Sequence, residues 1–189
     1  AEIARRNRLF MIEDSAHCIE GSREGVRPGA LSDAACFSFY ATKNLTCGDG
    51  GAIVVNDPEL ASRLRRLRSH GVDRDASGRH GSQTLHWDQV ELGYKANMTD
   101  IQAAMLRVGL PLLDSRLRIR EKLAARYDKG LAGLSGIRTF ATQPGALHSH
   151  HLYPVVVPAG DRDRILSELK EAGIGTGVNY RPLWRLTCP

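Results

Sequence analysis

Three short apolar runs, each nearly uninterrupted, constrain the fold of this chain more than any other feature. They are Leu9-Phe10-Met11-Ile12, Ala34-Ala35-Cys36-Phe37-Ser38-Phe39-Tyr40 and Gly51-Ala52-Ile53-Val54-Val55. A strand with one solvent face alternates apolar and polar residues. Runs this continuous read as strands covered on both faces, as in a mostly parallel or mixed sheet flanked by helices, an α/β arrangement. The first run ends in Glu13-Asp14 and continues Ser15-Ala16-His17; the second leads to Lys43, and the turn Gly48-Asp49-Gly50-Gly51 follows at once. A carboxylate after one strand and a lysine after the next suit a cofactor with a cationic ring nitrogen and an aldehyde. Pyridoxal 5′-phosphate is such a cofactor, held in its enzymes by a Schiff-base lysine and an acidic partner for the pyridinium.

Helix signals follow the strands. Asp57 is an N-cap and Pro58 stands at the first helical position of a helix that runs to about His70-Gly71, where glycine stops it. Residues 72–92 are polar and aperiodic, the pattern of a loop that is either functional, here reading substrate, or disordered. Thr99-Asp100 caps a long helix through Ile101, Ala104, Met105 and Val108. Pro111 should break or kink it, because proline removes a donor and clashes with the preceding turn, before helix resumes through Leu113, Leu117 and Leu123 to about Leu131. Beyond residue 132 the rhythm changes: strand-like 137–140 and 152–157, a helix over 161–172 and strand-like 174–180 predict the start of a smaller α+β domain.

Composition excludes several function classes. No run of 18 apolar residues exists and the first residues carry no signal-type apolar core, so neither a membrane span nor membrane association is expected. Cys18, Cys36, Cys47 and Cys188 form no paired framework and read as free thiols of a reducing cytoplasm. The net charge of +5 raises nucleic acid as a partner, and arginines cluster at 63, 65, 66 and 68. Leucines at 60, 64 and 67 make that run an amphipathic helix with a solvated basic face, which suits anionic small molecules better than nucleic acid. The glycine turn lacks the Lys-Ser/Thr of a P-loop. His148, His150 and His151 suggest a metal, and His148 and His150 would share a strand face, but no third ligand stands at metal-site spacing, so no metal is expected.

Five blocks point to one family. Glu13-Asp14-Ser15-Ala16-His17, Ser38-Phe39-Tyr40-Ala41-Thr42-Lys43-Asn44, Gly48-Asp49-Gly50-Gly51, the stretch from Gly93-Tyr94-Lys95-Ala96-Asn97 through Asp100 to Ala104, and the stretch from Gly173 to Asn179-Tyr180 together resemble the DegT/DnrJ/EryC1/StrS sugar aminotransferases. The resemblance implies part of a fold-type I aminotransferase. Residues 1–132 would be the C-terminal portion of the cofactor-binding large domain with a long linking helix, and 133–189 the start of the small domain. On this reading the chain is an internal fragment, inactive by itself, because the family's phosphate-binding turn and ring-stacking aromatic are not located here.

The resemblance also implies roles. Lys43 would form the Schiff base and shuttle the substrate proton, a role open to an amine whose burial disfavours its charge. Asp14 would pair with the pyridinium, His17 would lie near the phenolic oxygen, and Ser38 would donate to the phosphate. Asn97 would reach the cofactor of a partner subunit in a homodimer with shared sites. Relatives with histidine in place of the lysine are sugar dehydratases, so Lys43 favours transamination. The implied activity is cytoplasmic transfer of an amino group, from glutamate, to a nucleotide-linked keto-sugar in polysaccharide or lipopolysaccharide biosynthesis. Two rivals remain at this point: a non-catalytic cofactor-binding or regulatory homologue, and a basic interaction module. Asp49 stands where the family more often has glutamate, and Asn179 where many relatives have histidine.

Overall fold

The computed structural model describes residues 1–73, 88–180, 182–185 and 187. Most of the loop expected to read substrate, at 74–87, lies outside the described residues, as does Cys188. The three apolar runs form one mixed sheet of β1 (Ile12–Asp14), β3 (Ala34–Ser38) and β4 (Gly51–Val55), in the order β1-β3-β4. Strands β1 and β3 are parallel, with Asp14 opposite Cys36; β3 and β4 are antiparallel, with Ser38 opposite Gly51. Asp14 and Ser38 therefore end their strands on the carboxyl edge of the parallel pair, the edge where open α/β sheets bind ligands. A small antiparallel pair outside this sheet, β2 (Ser22–Arg23) with β6 (Ala146–Leu147), has no counterpart in the sequence reading.

The sheet departs from expectation in cover. Ala34 and Ala35 are buried, yet Ile12 is 63%, Ile53 52% and Val54 45% exposed. Ile12 and Ile53 lie on one face and Val54 on the other, so burial on both faces is not met among the described residues.

Local rules account for the helices. In α2 (Pro58–Leu67), Asp57 Oδ1 accepts from Glu59 N at 2.8 Å. This helix stops before His70, which takes a left-handed φ of 64° and donates its backbone N–H to Tyr94 O at 2.8 Å. Helix α3 (Asp100–Gly109) opens with a capping box: Thr99 Oγ1 accepts from Gln102 N, and Gln102 Oε1 accepts from Thr99 N. Pro111 converts the expected break into a 3-10 turn, Leu110–Leu112, from which α4 (Leu113–Leu131) continues. The short α1 (Glu2–Arg6) precedes the sheet.

The chain divides into two compact units, 1–124 with 142–152, and 125–141 with 153–189. The first has a core of Phe39, Leu45, Cys47 and Leu106, with Ile19, Phe37, Ala52, Met98 and Leu113 packed against it. Gly109 permits this packing, because a Cβ there would lie 2.7 Å from Leu45 Cδ1. The second unit holds β5 (Arg138–Thr139) antiparallel to β7 (Val155–Val156), α5 (Arg162–Glu171) and the stacked rings of Tyr127 and Tyr153, 4.9 Å apart. The strand expected over 174–180 does not form. Gly173, Gly175 and Gly177 weaken extended pairing there, and no described strand lies alongside. Likewise the run over 152–157 pairs only at Val155–Val156, and that over 137–140 only at Arg138–Thr139.

Candidate functional site

The loop joining β3 to β4 carries Lys43 and is closed at its base. Phe39 N donates to Gly50 O at 2.7 Å, Cys47 N to Phe39 O at 3.0 Å and Thr46 Oγ1 to Phe39 O at 3.1 Å. Lys43 N donates to Tyr40 O at 2.9 Å, and Leu45 sinks into the core at 2% exposure. The lysine is thus fixed from both sides by a rigid scaffold while its side chain stays half-buried. Among the described residues its amine is in no ion pair.

Asp14 ends β1 in a local turn in which Oδ1 accepts from Ala16 N at 3.1 Å. No described residue bonds its Oδ2. Ser15 N donates to Cys36 O at 2.8 Å, which ties this turn to β3. Ser38 Oγ accepts weakly from Tyr40 N at 3.4 Å. Asn97 is exposed, and its side chain bonds to no described residue; its neighbours fix it, since Ala96 N donates to Arg68 O and Met98 packs on the core. The fold brings Lys43 and His17 to one cluster, with Asp14 attached through the 14–17 turn.

That cluster contains residues the sequence reading missed. The His17 and His151 rings lie 4.2 Å apart, tilted by 44°. His151 Nδ1 is 3.1 Å from Asn44 Oδ1, and Asn44 Nδ2 donates to Glu20 Oε2 at 3.0 Å and to Ser149 O at 3.2 Å. Arg120 forms an ion pair with Glu20 and donates from Nε to Ser149 O at 3.0 Å, while Ser149 Oγ donates to His17 O at 2.6 Å. Glu20 and Ser149 are buried. Burial first, then the charges of His17, Lys43 and Arg120, push the His151 imidazole below the usual histidine value, against an opposing pull from Glu20. His151 had drawn notice only as a metal candidate, and Asn44 only as part of a motif. Adjacency to Lys43 was the available signal for Asn44; nothing local marks Glu20 or Arg120.

Other chemistries find less support. His148 and His150 form a separate ring pair 4.6 Å apart, and no three metal-binding side chains gather among the described residues. Burial pushes the Cys18 and Cys47 thiols up, which keeps them protonated and unsuited to nucleophilic attack. On the basic helix α2, Arg63 and Arg66 both bond to Glu91, at 3.0 and 3.3 Å, so part of that charge is answered internally. No helix of the described residues is long and apolar enough to cross a membrane.

The family model of the DegT/DnrJ/EryC1/StrS aminotransferases matches residues 1–189. The dTDP-3-amino-3,4,6-trideoxy-alpha-D-glucose transaminase of Streptomyces venezuelae is 42% identical over 180 residues, covering 95% of this chain and 44% of that protein. The aminotransferase TlmJ from Streptoalloteichus hindustanus superposes with a TM-score of 0.87 at 31% identity, over 99% of this chain and 49% of that one. Spr1654 of Streptococcus pneumoniae, in its PLP form, gives 0.83 at 33%, over 95% and 46%. The chain spans about half the length of the relatives it matches. These neighbours are fold-type I aminotransferases, and the family depends on pyridoxal 5′-phosphate. The chain belongs to the DegT/DnrJ/EryC1/StrS aminotransferase family.

Proposed function

We propose that this chain contributes the lysine-bearing part of a pyridoxal-phosphate-dependent aminotransferase that moves an amino group from glutamate to a nucleotide-linked keto-sugar. The observation that carries the reading is the placement of Lys43. A half-buried amine without an ion-pair partner among the described residues sits in a pinned loop beyond the strand edge that also presents Asp14 and Ser38. The donor set fits the cofactor: a carboxylate oxygen unengaged by any described residue for a ring N–H, a hydroxyl for a phosphate oxygen, and an amine for an aldehyde.

When bound, pyridoxal 5′-phosphate supplies the electron sink and the carbon that carries the amino group between substrates. The protein's part is positional and acid–base. Asp14 Oδ2 would accept the ring N–H and hold that proton. The hydroxyl of Ser38 would orient the phosphate, and His17 would face the phenolic oxygen. Lys43 Nζ, once its amine is free, takes a proton from the substrate carbon and returns it, a role suited to an amine whose basicity responds to its surroundings. The hydrogen bonds at Phe39, Thr46 and Cys47 hold the loop backbone from which Lys43 projects. Asn97 serves the cofactor of a partner subunit in a two-fold dimer.

The test is spectroscopic. Holoenzyme carrying this sequence should show the visible absorbance of lysine-bound cofactor, and glutamate should bleach it. Absorbance without bleaching supports a non-catalytic homologue. Salt-sensitive nucleic-acid binding without absorbance supports a basic interaction module, against which the Arg63–Glu91 and Arg66–Glu91 pairs already weigh.

A further inference from the structure

The hydrogen bonds around Asn44 determine more than its own position. Both acceptors of its Nδ2 group, the Glu20 carboxylate and the Ser149 carbonyl, can only accept. The amide orientation is therefore fixed, with Oδ1 directed at His151. Because Oδ1 can also only accept, the 3.1 Å contact requires His151 to donate from Nδ1. In the neutral imidazole the proton then resides on Nδ1 and Nε2 keeps its lone pair. Arg120 completes the support by pairing with Glu20 and donating to Ser149 O, so the carboxylate that anchors Asn44 is itself held.

We infer that His151 is a positioning residue of the site, locked by Asn44 in the Nδ1–H tautomer and bracing the imidazole of His17 through their 4.2 Å ring contact. The inference rests on the cofactor reading for its effect on activity, but the tautomer is a property of the protein alone. The groups that act on His151 are His17, Lys43 and Arg120, which favour its neutral form, and Glu20, which opposes them. Burial acts with the first three and prevails. The arrangement couples the 142–152 segment to the residue adjoining Lys43, and to the backbone of His17 through Ser149 Oγ.

Two substitutions separate the ring contact from the hydrogen bond. His151→Phe keeps a ring against His17 and loses the donor; His151→Asn loses the ring and keeps a donor near the position of Nδ1. Nitrogen NMR of imidazole-labelled parent protein, with or without cofactor, should show His151 protonated at Nδ1. In the holoenzyme, His151→Phe should lower kcat about tenfold, within the range that displaced groups produce, and leave the KM for the amino donor unchanged. It should also shift the pH dependence of the bound cofactor's absorbance, which a purely structural role would not move. His151→Asn, which keeps a donor to Asn44 but lacks the ring that braces His17, should lose at least as much kcat. An Nε2–H tautomer in the parent overturns the inference. So does a folded His151→Phe or His151→Asn enzyme with parental kcat and spectrum. Parent protein that takes up no pyridoxal phosphate would sink the proposed function instead, and the tautomer measurement would still decide whether Asn44 locks His151.

Discussion

Glu20 and Arg120, 100 residues apart in the chain, meet in an ion pair whose carboxylate side is only 2% exposed. The pair closes the floor of the Lys43 cluster, because each partner also reaches the Asn44–Ser149 junction. Removing one partner strands the other. Arg120→Met should cost about 3 kcal/mol, as expected when a buried charge loses its mate. The double variant Glu20→Gln/Arg120→Met should lose less than the sum of the singles. Urea denaturation midpoints of the four proteins check both statements, and strict additivity would mean the pair is not coupled.

Lys43→Ala should abolish covalent fixation of cofactor by borohydride. No other lysine lies in the pinned loop to replace it. Mass spectrometry of the reduced holoenzyme reads the outcome directly, and full labelling of the variant would overturn the assignment.

Asp14→Asn keeps the Asx-type turn to Ala16 and removes the charge that holds the ring proton. Turnover should fall by about 100-fold or more, the scale seen when one preorganised electrostatic partner is lost. Thermal stability should stay close to the parent, since the side chain is exposed and bonds only within its own turn.

Asn97→Ala and Lys43→Ala chains, each damaged alone, should complement when mixed. A mixed dimer gathers both defects in one site and leaves the other intact. Activity that stays at the level of the single mutants, with subunit exchange confirmed by native mass spectrometry, places Asn97 in its own chain's site.

Glu13 predicts an acid-limb effect. Ser32 Oγ and Gly29 N both donate to its Oε2, at 2.6 Å each, and these bonds hold its carboxyl below the usual range. The folded value lies below the unfolded one. The stabilisation is therefore complete above the unfolded value and disappears as pH falls through the folded one. Glu13→Gln should flatten that part of the stability–pH curve and leave its neutral region parallel to the parent, as equilibrium unfolding at stepped pH would record.

What the sequence disclosed was local. The Asp57-Pro58 start and the Thr99–Gln102 box are contacts between near neighbours, and side-chain chemistry alone predicts them. The placement of Asp14 at the end of β1 and of Lys43 beyond β3 is local too, because each follows an apolar run. The Glu20–Arg120 pair and the Asn44–His151 bond depend on segments 100 and 107 positions apart, and no periodicity encodes such meetings. The misread strand over 174–180 failed for a related reason: apolar alternation states a capacity to pair, while pairing needs a neighbour. Exposure of Ile12, Ile53 and Val54 follows the same logic, since continuous apolarity records a demand for cover that the described residues leave unmet.

The ties beneath Lys43 also order events in time. The β3–β4 hairpin can form early, because its two strands and intervening loop are contiguous and loop closure over so short a span is cheap. The contacts from Glu20 to Arg120 and from Asn44 to His151 must wait until remote parts of the chain have docked. During refolding, strand signals should accordingly return before the imidazole environment of His151 does, and the protein passes through a stage in which the lysine loop exists but its footing does not.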